Sequence, residues 1–496
     1  MKKYLIAIDQ GTTSSRAILF NKKGEIISSS QKELTMIYQK AGYVEQDAMD
    51  IWASVLSTLA ECIIQANILP EEINSIGITN QRETTVLWDR RTGKPIYKAI
   101  VWQSKQSNEI CDQLKANNYE QLFQEKTGLL LDPYFSGTKI KWALENVPNA
   151  KQLMNDGNLM FGTIDSWLLY KLTGDIVHKT DHTNASRTLL YNIFEKKWDD
   201  ELLDILEINK NILPEVCDSS SVFGMTSRKV FLGVEIPIAG ILGDQQAALF
   251  GQLCTEKGSI KNTYGTGCFM LMNTGEMPTL SKKGLLTTIA YSIDGKITYA
   301  LEGSVFVAGS AIQWLRDSLK FFKEAKESEN LALSVDSNYG VYVVPAFVGL
   351  GTPYWDTDAK GAIFGLTRGT TQAHITRATL ESLAYQTKDV IDIMASEANL
   401  IPKILKVDGG ASMNNFLMQF QSDLLNIEIR RPKINESTAL GAAFMSGIAT
   451  KFYKNIEELE KTIILDKVFI PKMVDSKRKK LYKDWKIAVS ATRTFK

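Results

Sequence analysis

Two short stretches carry side chains of the kind that hold phosphate. The run Ile8-Asp9-Gln10-Gly11-Thr12-Thr13-Ser14-Ser15-Arg16 sets a glycine-containing turn between two apolar segments. Such a turn aims several backbone N–H groups and the hydroxyls of Thr12, Thr13 and Ser14 into one concavity that suits phosphate oxygens. Asp9, at the end of the preceding strand, is placed to orient a hydrated Mg²⁺, an ion that keeps most of its waters and needs few carboxylates. Arg16 adds a fixed positive charge. Taken alone, the turn is equally compatible with an ordinary hairpin. A second loop changes that balance: Asn262-Thr263-Tyr264-Gly265-Thr266-Gly267-Cys268-Phe269 again sets two glycines around a threonine between strands. A third glycine turn, Val407-Asp408-Gly409-Gly410-Ala411-Ser412-Met413-Asn414-Asn415, runs into a helix. One loop per half, plus an extra turn, would grip a nucleotide from both sides. Neither G-x-x-x-x-G-K-[ST] nor the dinucleotide G-x-G-x-x-G is present, so the nucleotide mode is a different one.

These loops need strands and helices to hold them. Residues 4–8 and 17–20 are compact apolar runs, residues 21–24 a turn, and residues 25–30 resume a strand pattern, which predicts an antiparallel meander with the polar loop at its first bend. Asp47 can cap a helix over residues 47–67, where Ile51, Val55, Leu59 and Ile63 recur at helical spacing. Strands are predicted at residues 73–79, 236–241, 341–344 and 405–408, and a helix from His374 to Ser396. Two α/β halves meeting near residue 250 follow, and halves joined without a floppy linker form a cleft.

Composition removes several classes of function. The 496 residues are 44% hydrophobic and 23% charged, enough for two or three buried cores. Lys+Arg 57 against Asp+Glu 56 leaves a formal charge of +1, so no global field draws in nucleic acid or an anionic membrane. Cys62, Cys111, Cys217, Cys254 and Cys268 stand far apart and read as reduced thiols of a cytoplasmic protein. Asp9 interrupts the first apolar stretch, so a signal peptide is not expected, and no apolar run reaches the ~18 residues of a spanning helix. His178, His182 and His374 lack ligand spacing. The run Lys477-Arg478-Lys479-Lys480, flanked by Asp475 and Asp484, reads as a solvated helix face, and Trp142 and Leu144 as core.

The motifs together resemble the superfamily of sugar kinases, hexokinase, heat-shock ATPases and actin, and within it the FGGY carbohydrate kinases, specifically those acting on glycerol. The resemblance runs almost end to end, through DQGTTSSRA from Asp9, GITNQRETT from Gly77, AIVWQ from Ala99, DPYFSGTKIKW from Asp132, TNASRTLL from Thr183, GDQQAALFGQ from Gly243, NTYGTGCFMLMNTG from Asn262, PAFVGLGTPYW from Pro345, GAIFGLTRG from Gly361 and VDGGASMNNF from Val407. It implies an α/β fold of two ribonuclease-H-like domains of the actin and hexokinase type, residues 1–250 and 251–496, flanking an ATP cleft. ATP and Mg²⁺ are the implied cofactors, glycerol the implied substrate, and a homodimer or homotetramer the implied assembly.

Residue roles follow from the same resemblance. Glycerol offers three hydroxyls and a carbon edge, so its site needs several polar partners and an apolar wall. Arg82, Glu83, Asp244 and Gln245 match the family's hydroxyl-binding residues, Tyr134 a further polar contact, and Trp102 and Phe269 the walls. Asp244 matches the general base. By itself Asp244 could equally satisfy the turn after the strand at 236–241; within GDQQAALFG the catalytic role is favoured. Thr12, Thr13, Ser14 and Arg16 are assigned to the phosphate tail, Thr266 and Gly309 to the opposing wall, Gln313 to the ATP site, and Gly410 and Asn414 to the adenosine end, with Asp9 toward the metal. The loop at residues 227–235 has no histidine, so control by histidine phosphorylation there is not expected, and Ser104-Lys105-Gln106 lacks the arginine often found at that rim. A sibling acting on a pentulose would share both phosphate loops but should lack the Arg82-Glu83 and Trp102/Phe269 combination. An actin-like or chaperone-like ATPase would need no polyol site.

Overall fold

Strand Tyr4–Gln10 lies between an antiparallel neighbour, Ser14–Asn21, and a parallel one, Ile73–Asn80. The computed structural model describes residues 2–495. The meander continues into Ile26–Glu33, and Pro237–Gly243 pairs in parallel with the far side of Ile73–Asn80. The second half repeats this plan. Ile260–Tyr264 pairs antiparallel with Cys268–Gly275 and parallel with Ile404–Asp408, and Glu428–Pro432 follows in parallel. The first half reads Ile26–Glu33, Ser14–Asn21, Tyr4–Gln10, Ile73–Asn80, Pro237–Gly243 across the sheet; in the second, Lys296–Val305 lies beside Cys268–Gly275 with Leu286–Ile293 outside it, and each half has one polar turn after its first strand. A single parallel pair, Ser220 with Ile293, joins the two into one 13-stranded sheet.

Parallel strands need covering on both faces, and the sequence supplies the cover. Asp47 accepts from the Met49 N–H at 2.7 Å and starts helix Ala48–Ala66, which buries Ile51, Val55, Leu59 and Ile63 and ends at the left-handed Asn67. Its apolar stripe joins Ile6, Ile8, Ile76, Ile78 and Ile238 in one core. In the second half Thr371 starts helix Gln372–Ala398, with His374 three residues on and contacting the Thr371 backbone N–H, a capping role rather than a ligating one. His178 is likewise structural: burial pulls its imidazole down to about 4, and its Nε2 lies 2.7 Å from the Phe161 carbonyl. The basic run lies on helix Asp475–Thr494, where Arg478 and Lys479 both pair with Asp475. Among the described residues no helix is long and apolar enough to cross a membrane.

Two helices from opposite halves of the chain, Asp244–Gly251 and Ser437–Ala449, cross in contact. A Cβ on Gly251 would lie 1.9 Å from the Ser437 carbonyl oxygen, and one on Gly441 would lie 1.9 Å from that of Ala247. The later helix also rests on the first-half sheet, where a Cβ on Gly77 would lie 2.2 Å from the Ala442 carbonyl oxygen and one on Gly240 2.5 Å from the Ser446 nitrogen. Both first-half strands and both helices thus meet backbone to backbone. Gly441→Ala should cost about 1–3 kcal/mol or more, because no rotamer change relieves a backbone clash. A thermal midpoint equal to wild type would contradict this packing.

Candidate active site

The first-half strand Pro237–Gly243 runs directly into the helix that begins at Asp244, so this carboxylate stands at a helix N-terminus, with its side chain 32% exposed. Gly243 makes room beside it: a Cβ there would lie 2.7 Å from Arg82 Cδ. The Arg82 guanidinium consequently reaches Asp244 Oδ1 through Nε at 3.2 Å. Its other nitrogens grip Glu302 at 2.6 and 3.1 Å and Gln246 Oε1 at 3.2 Å. Arg187 completes the cluster, donating from Nε to Glu83 at 2.6 Å and from Nη2 to Glu302 at 3.0 Å. Two arginines and two glutamates are thereby buried in alternation, which meets the requirement that buried charges be paired.

The electrostatics follow from that alternation. Burial would push the Glu302 carboxyl up, but Arg187 and Arg82 outweigh it and hold the group at about 2. Glu83 keeps a net upward shift, because burial there exceeds the pull of Arg82 and Arg187. Its backbone also stands at φ 62°, a region non-glycine residues rarely adopt, and Ser136 Oγ holds its carbonyl at 2.9 Å. Strain is concentrated at the residue expected to meet substrate.

Walls close the site above this floor. Trp102 and Tyr134 pack edge to face with centroids 5.4 Å apart, and Arg187 lies 5.9 Å from the Tyr134 ring. Phe269 pairs with Ser304 on the strand carrying Glu302, two residues away, so the two point to one sheet face. Trp102 Nε1 donates to Thr12 Oγ1 at 2.9 Å. The aromatic wall and the loop at residues 11–14 are therefore one hydrogen-bonded unit.

The first glycine loop is closed by Gly11 N–H donating to the Ser14 carbonyl at 2.9 Å, with Thr13 exposed and Ser14 buried. Asp9 faces Arg16 across the strand pair, and Arg16 Nη1 also bonds Glu436 at 3.0 Å, just before the crossing helix of the second half. Burial raises the Asp9 carboxyl to about 7, opposed by Arg16 and reinforced by Glu436 and Asp244. In the second loop Gly265 N–H bonds the Gly267 carbonyl at 2.9 Å, and the Thr266 carbonyl accepts from Ala308 at 2.8 Å and Ser310 at 3.2 Å. Gly309 begins helix Gly309–Asp317, and a Cβ there would lie 2.5 Å from the Gly265 carbonyl oxygen, so the loop and the helix start are locked together. Gln313 stands exposed one turn further on.

The two glycines of the third turn have different surroundings. Gly409 has φ 84° and a Cβ there would meet the Tyr264 carbonyl at 2.4 Å, whereas Gly410 faces open space. Asn414 is engaged as a helix cap, accepting from Leu417 N–H at 2.9 Å and donating to Ser328 at 3.3 Å.

Sequence reasoning left Arg187, Gln246, Lys261 and Glu302 without roles. Lys261 carries a signal, the lone charge of its strand, and Glu302 a weaker one, a charge set among the uncharged residues 297–305. Arg187 lies within the quoted TNASRTLL.

Comparison with known proteins places this geometry. The profile of the FGGY family of carbohydrate kinases, N-terminal domain, matches residues 4–251, and that of the C-terminal domain residues 260–450. A Bacillus cereus protein named glycerol kinase is 60% identical over 496 residues, 100% of both chains, and a Bacillus anthracis glycerol kinase shows the same 60% over the same span. Plasmodium falciparum glycerol kinase with ADP superposes with a TM-score of 0.94 at 38% identity, covering 99% of this chain and 98% of that one. A Lactobacillus acidophilus gluconate kinase shares the fold, with a TM-score of 0.88 at 23% identity over 99% of each chain.

Proposed function

This chain belongs to the FGGY family of carbohydrate kinases, and from that membership and its geometry we propose that it transfers the γ-phosphoryl group of ATP to a terminal hydroxyl of glycerol, giving sn-glycerol 3-phosphate and ADP. The observation that carries the reading is the bond from Trp102 to Thr12, which joins an acceptor wall to a phosphate loop beside Arg82 and Asp244.

Asp244 serves as general base. The hydroxyl oxygen bonds to the γ-phosphorus, its proton passes to the Asp244 carboxylate, and the bond to the bridging oxygen breaks with its electron pair leaving on ADP. Arg82 Nε holds the carboxylate in place, and Glu302 holds Arg82. Glu83, Arg82, Tyr134 and Gln245 bind hydroxyls, while Trp102 and Phe269 line the carbon edge and exclude the water that would otherwise compete as acceptor. Thr12, Thr13, Ser14 and Thr266, with their loop N–H groups, take the phosphate oxygens. Gly410 leaves open space for the adenosine end, with Gly309, Gln313 and Asn414 around the nucleotide.

Mg²⁺ fits this site. Asp9 offers a single carboxylate at the strand end beside the first glycine loop, which suits an ion bound by one carboxylate and substrate phosphates. Burial lifts Asp9, with Glu436 and Asp244 adding to it, and a divalent cation beside the carboxylate would offset all three. Asp9 would hold it through water, and when bound it would neutralise charge on the transferred group.

We place the functional division at 1–250 and 251–496, with the crossing helix Ser437–Ala449 reaching back onto the first half. A cytoplasmic homodimer or homotetramer completes the proposal; the scattered free cysteines support the location, and sedimentation tests the assembly. A coupled ADP-release assay with glycerol, dihydroxyacetone, xylulose and gluconate tests the substrate. Glycerol should give turnover. Turnover of xylulose or gluconate without glycerol would overturn the assignment, as would ADP release that ignores every acceptor.

A further inference from the structure

Lys261 is fully buried as the second residue of strand Ile260–Tyr264, the strand at which the second half is centred. Its ammonium donates to Gln245 Oε1 and, at 3.0 Å, to Thr263 Oγ1. Gln245 follows Asp244 on the first-half helix; its backbone N–H donates to Asp244 Oδ1 at 2.7 Å and its Nε2 to Asp244 Oδ2 at 3.4 Å. An amide side chain has one accepting and one donating end, so a cation seated at the oxygen decides which end faces the cleft. Without it the two orientations would compete.

We propose that Lys261 is a positioning residue for phosphoryl transfer: reaching across from the second half, it fixes the Gln245 amide with its NH₂ toward Asp244 and the hydroxyls of the acceptor. The proposal rests on the glycerol reading of this site. It also ties acceptor binding to alignment of the two halves, because the bond crosses between them.

The charged surroundings of Lys261 are confined to a few elements. On the adjacent strand Ile404–Asp408, Lys406 lies opposite Lys261 and Asp408 opposite Thr263. Lys406 is turned away to the carbonyls of Gln252 and Leu253, at 2.8 Å each, while Asp408 Oδ1 is buried with no hydrogen-bond partner. Asp244 faces Lys261 from the helix, Glu302 from strand Lys296–Val305, and Arg82 from the loop after Ile73–Asn80. Cys254 and Cys268, the remaining titratable neighbours, both have thiols pushed up by burial. Burial pulls the Lys261 ammonium down to about 8, against the attraction of Asp408, Asp244 and Glu302. Below that pH the cation fixes the amide; above it the neutral amine loses its preference for the oxygen end.

The test is steady-state kinetics against pH for wild type, Lys261→Met, Gln245→Ala and their double variant, with folding checked by thermal unfolding. Lys261→Met should raise the glycerol KM roughly 10–100-fold, the range for a hydrogen bond to a charged group, with a smaller change in kcat. The double variant should be no worse than Gln245→Ala alone. Wild-type glycerol KM should climb above pH 8, and that limb should vanish in Lys261→Met. Gln245→Glu offers a second route, since it keeps a partner for Lys261 but removes the NH₂; its KM should rise comparably. Wild-type KM in Lys261→Met or Gln245→Glu, additive losses in the double variant, or an alkaline limb retained in Lys261→Met would overturn the role. A wild-type enzyme active on glycerol with such results overturns Lys261 alone, whereas one inactive on glycerol overturns the function as well.

Discussion

Asp244→Asn lowers kcat for glycerol phosphorylation by about 10²–10⁴-fold, the usual contribution of a positioned general base. The substitution is isosteric and the position is partly exposed, so the fold should survive it. An asparagine oxygen can still accept from the Gln245 N–H and stand beside Arg82, whose two bonds to Glu302 are untouched. What it cannot do is take the hydroxyl proton as the new bond forms. The loss should therefore fall on kcat, with the glycerol KM changing far less, and a coupled assay on protein with a wild-type melting profile reads both. Full turnover by the asparagine enzyme would remove Asp244 from its role.

Loss of Glu302 has the other large effect, and it falls on stability first. Glu302→Ala leaves Arg82 and Arg187 buried side by side with only Glu83 between them, and breaking a buried charge pair costs about 3–5 kcal/mol. Arg82 would also lose the clamp that aims it at Asp244, so surviving enzyme should bind glycerol more weakly. The carboxyl sits at about 2, below the ordinary carboxylate value, so the stability it contributes is present above about 4.5 and fades as pH falls toward 2. Thermal unfolding across that window should show a steeper acid loss in wild type than in Glu302→Gln. Equal slopes, or a Glu302→Ala midpoint matching wild type, would contradict the buried network.

Features set by neighbours in the chain were legible beforehand. Asp47 and the four-residue spacing from Ile51 to Ile63 specify helix Ala48–Ala66 locally, and the turn at residues 11–13 is dictated by its own glycine and hydroxyls. Other features exist only once distant segments meet. Arg82, in the loop after Ile73–Asn80, and Glu302, on strand Lys296–Val305, are 220 positions apart, and nothing local to either segment hints at the pairing. Trp102 reads as a wall residue until its indole is seen on Thr12. Helix Ser437–Ala449 looks like any small-residue helix in sequence; Gly441 gains meaning only against Ala247 and Gly251. Asn414, which the resemblance assigns to the adenosine end, also has a local role that is seen only once the helix forms, its Oδ1 accepting from the Leu417 N–H.

The most direct measurement is a crystal structure with glycerol and a non-hydrolysable ATP analogue bound together. Asp244 should lie within hydrogen-bonding distance of a terminal glycerol oxygen, and that oxygen should face the γ-phosphorus across the Trp102–Thr12 contact. Ligands seated in separate places, with no path for that oxygen to reach phosphorus when the halves close, would contradict the account.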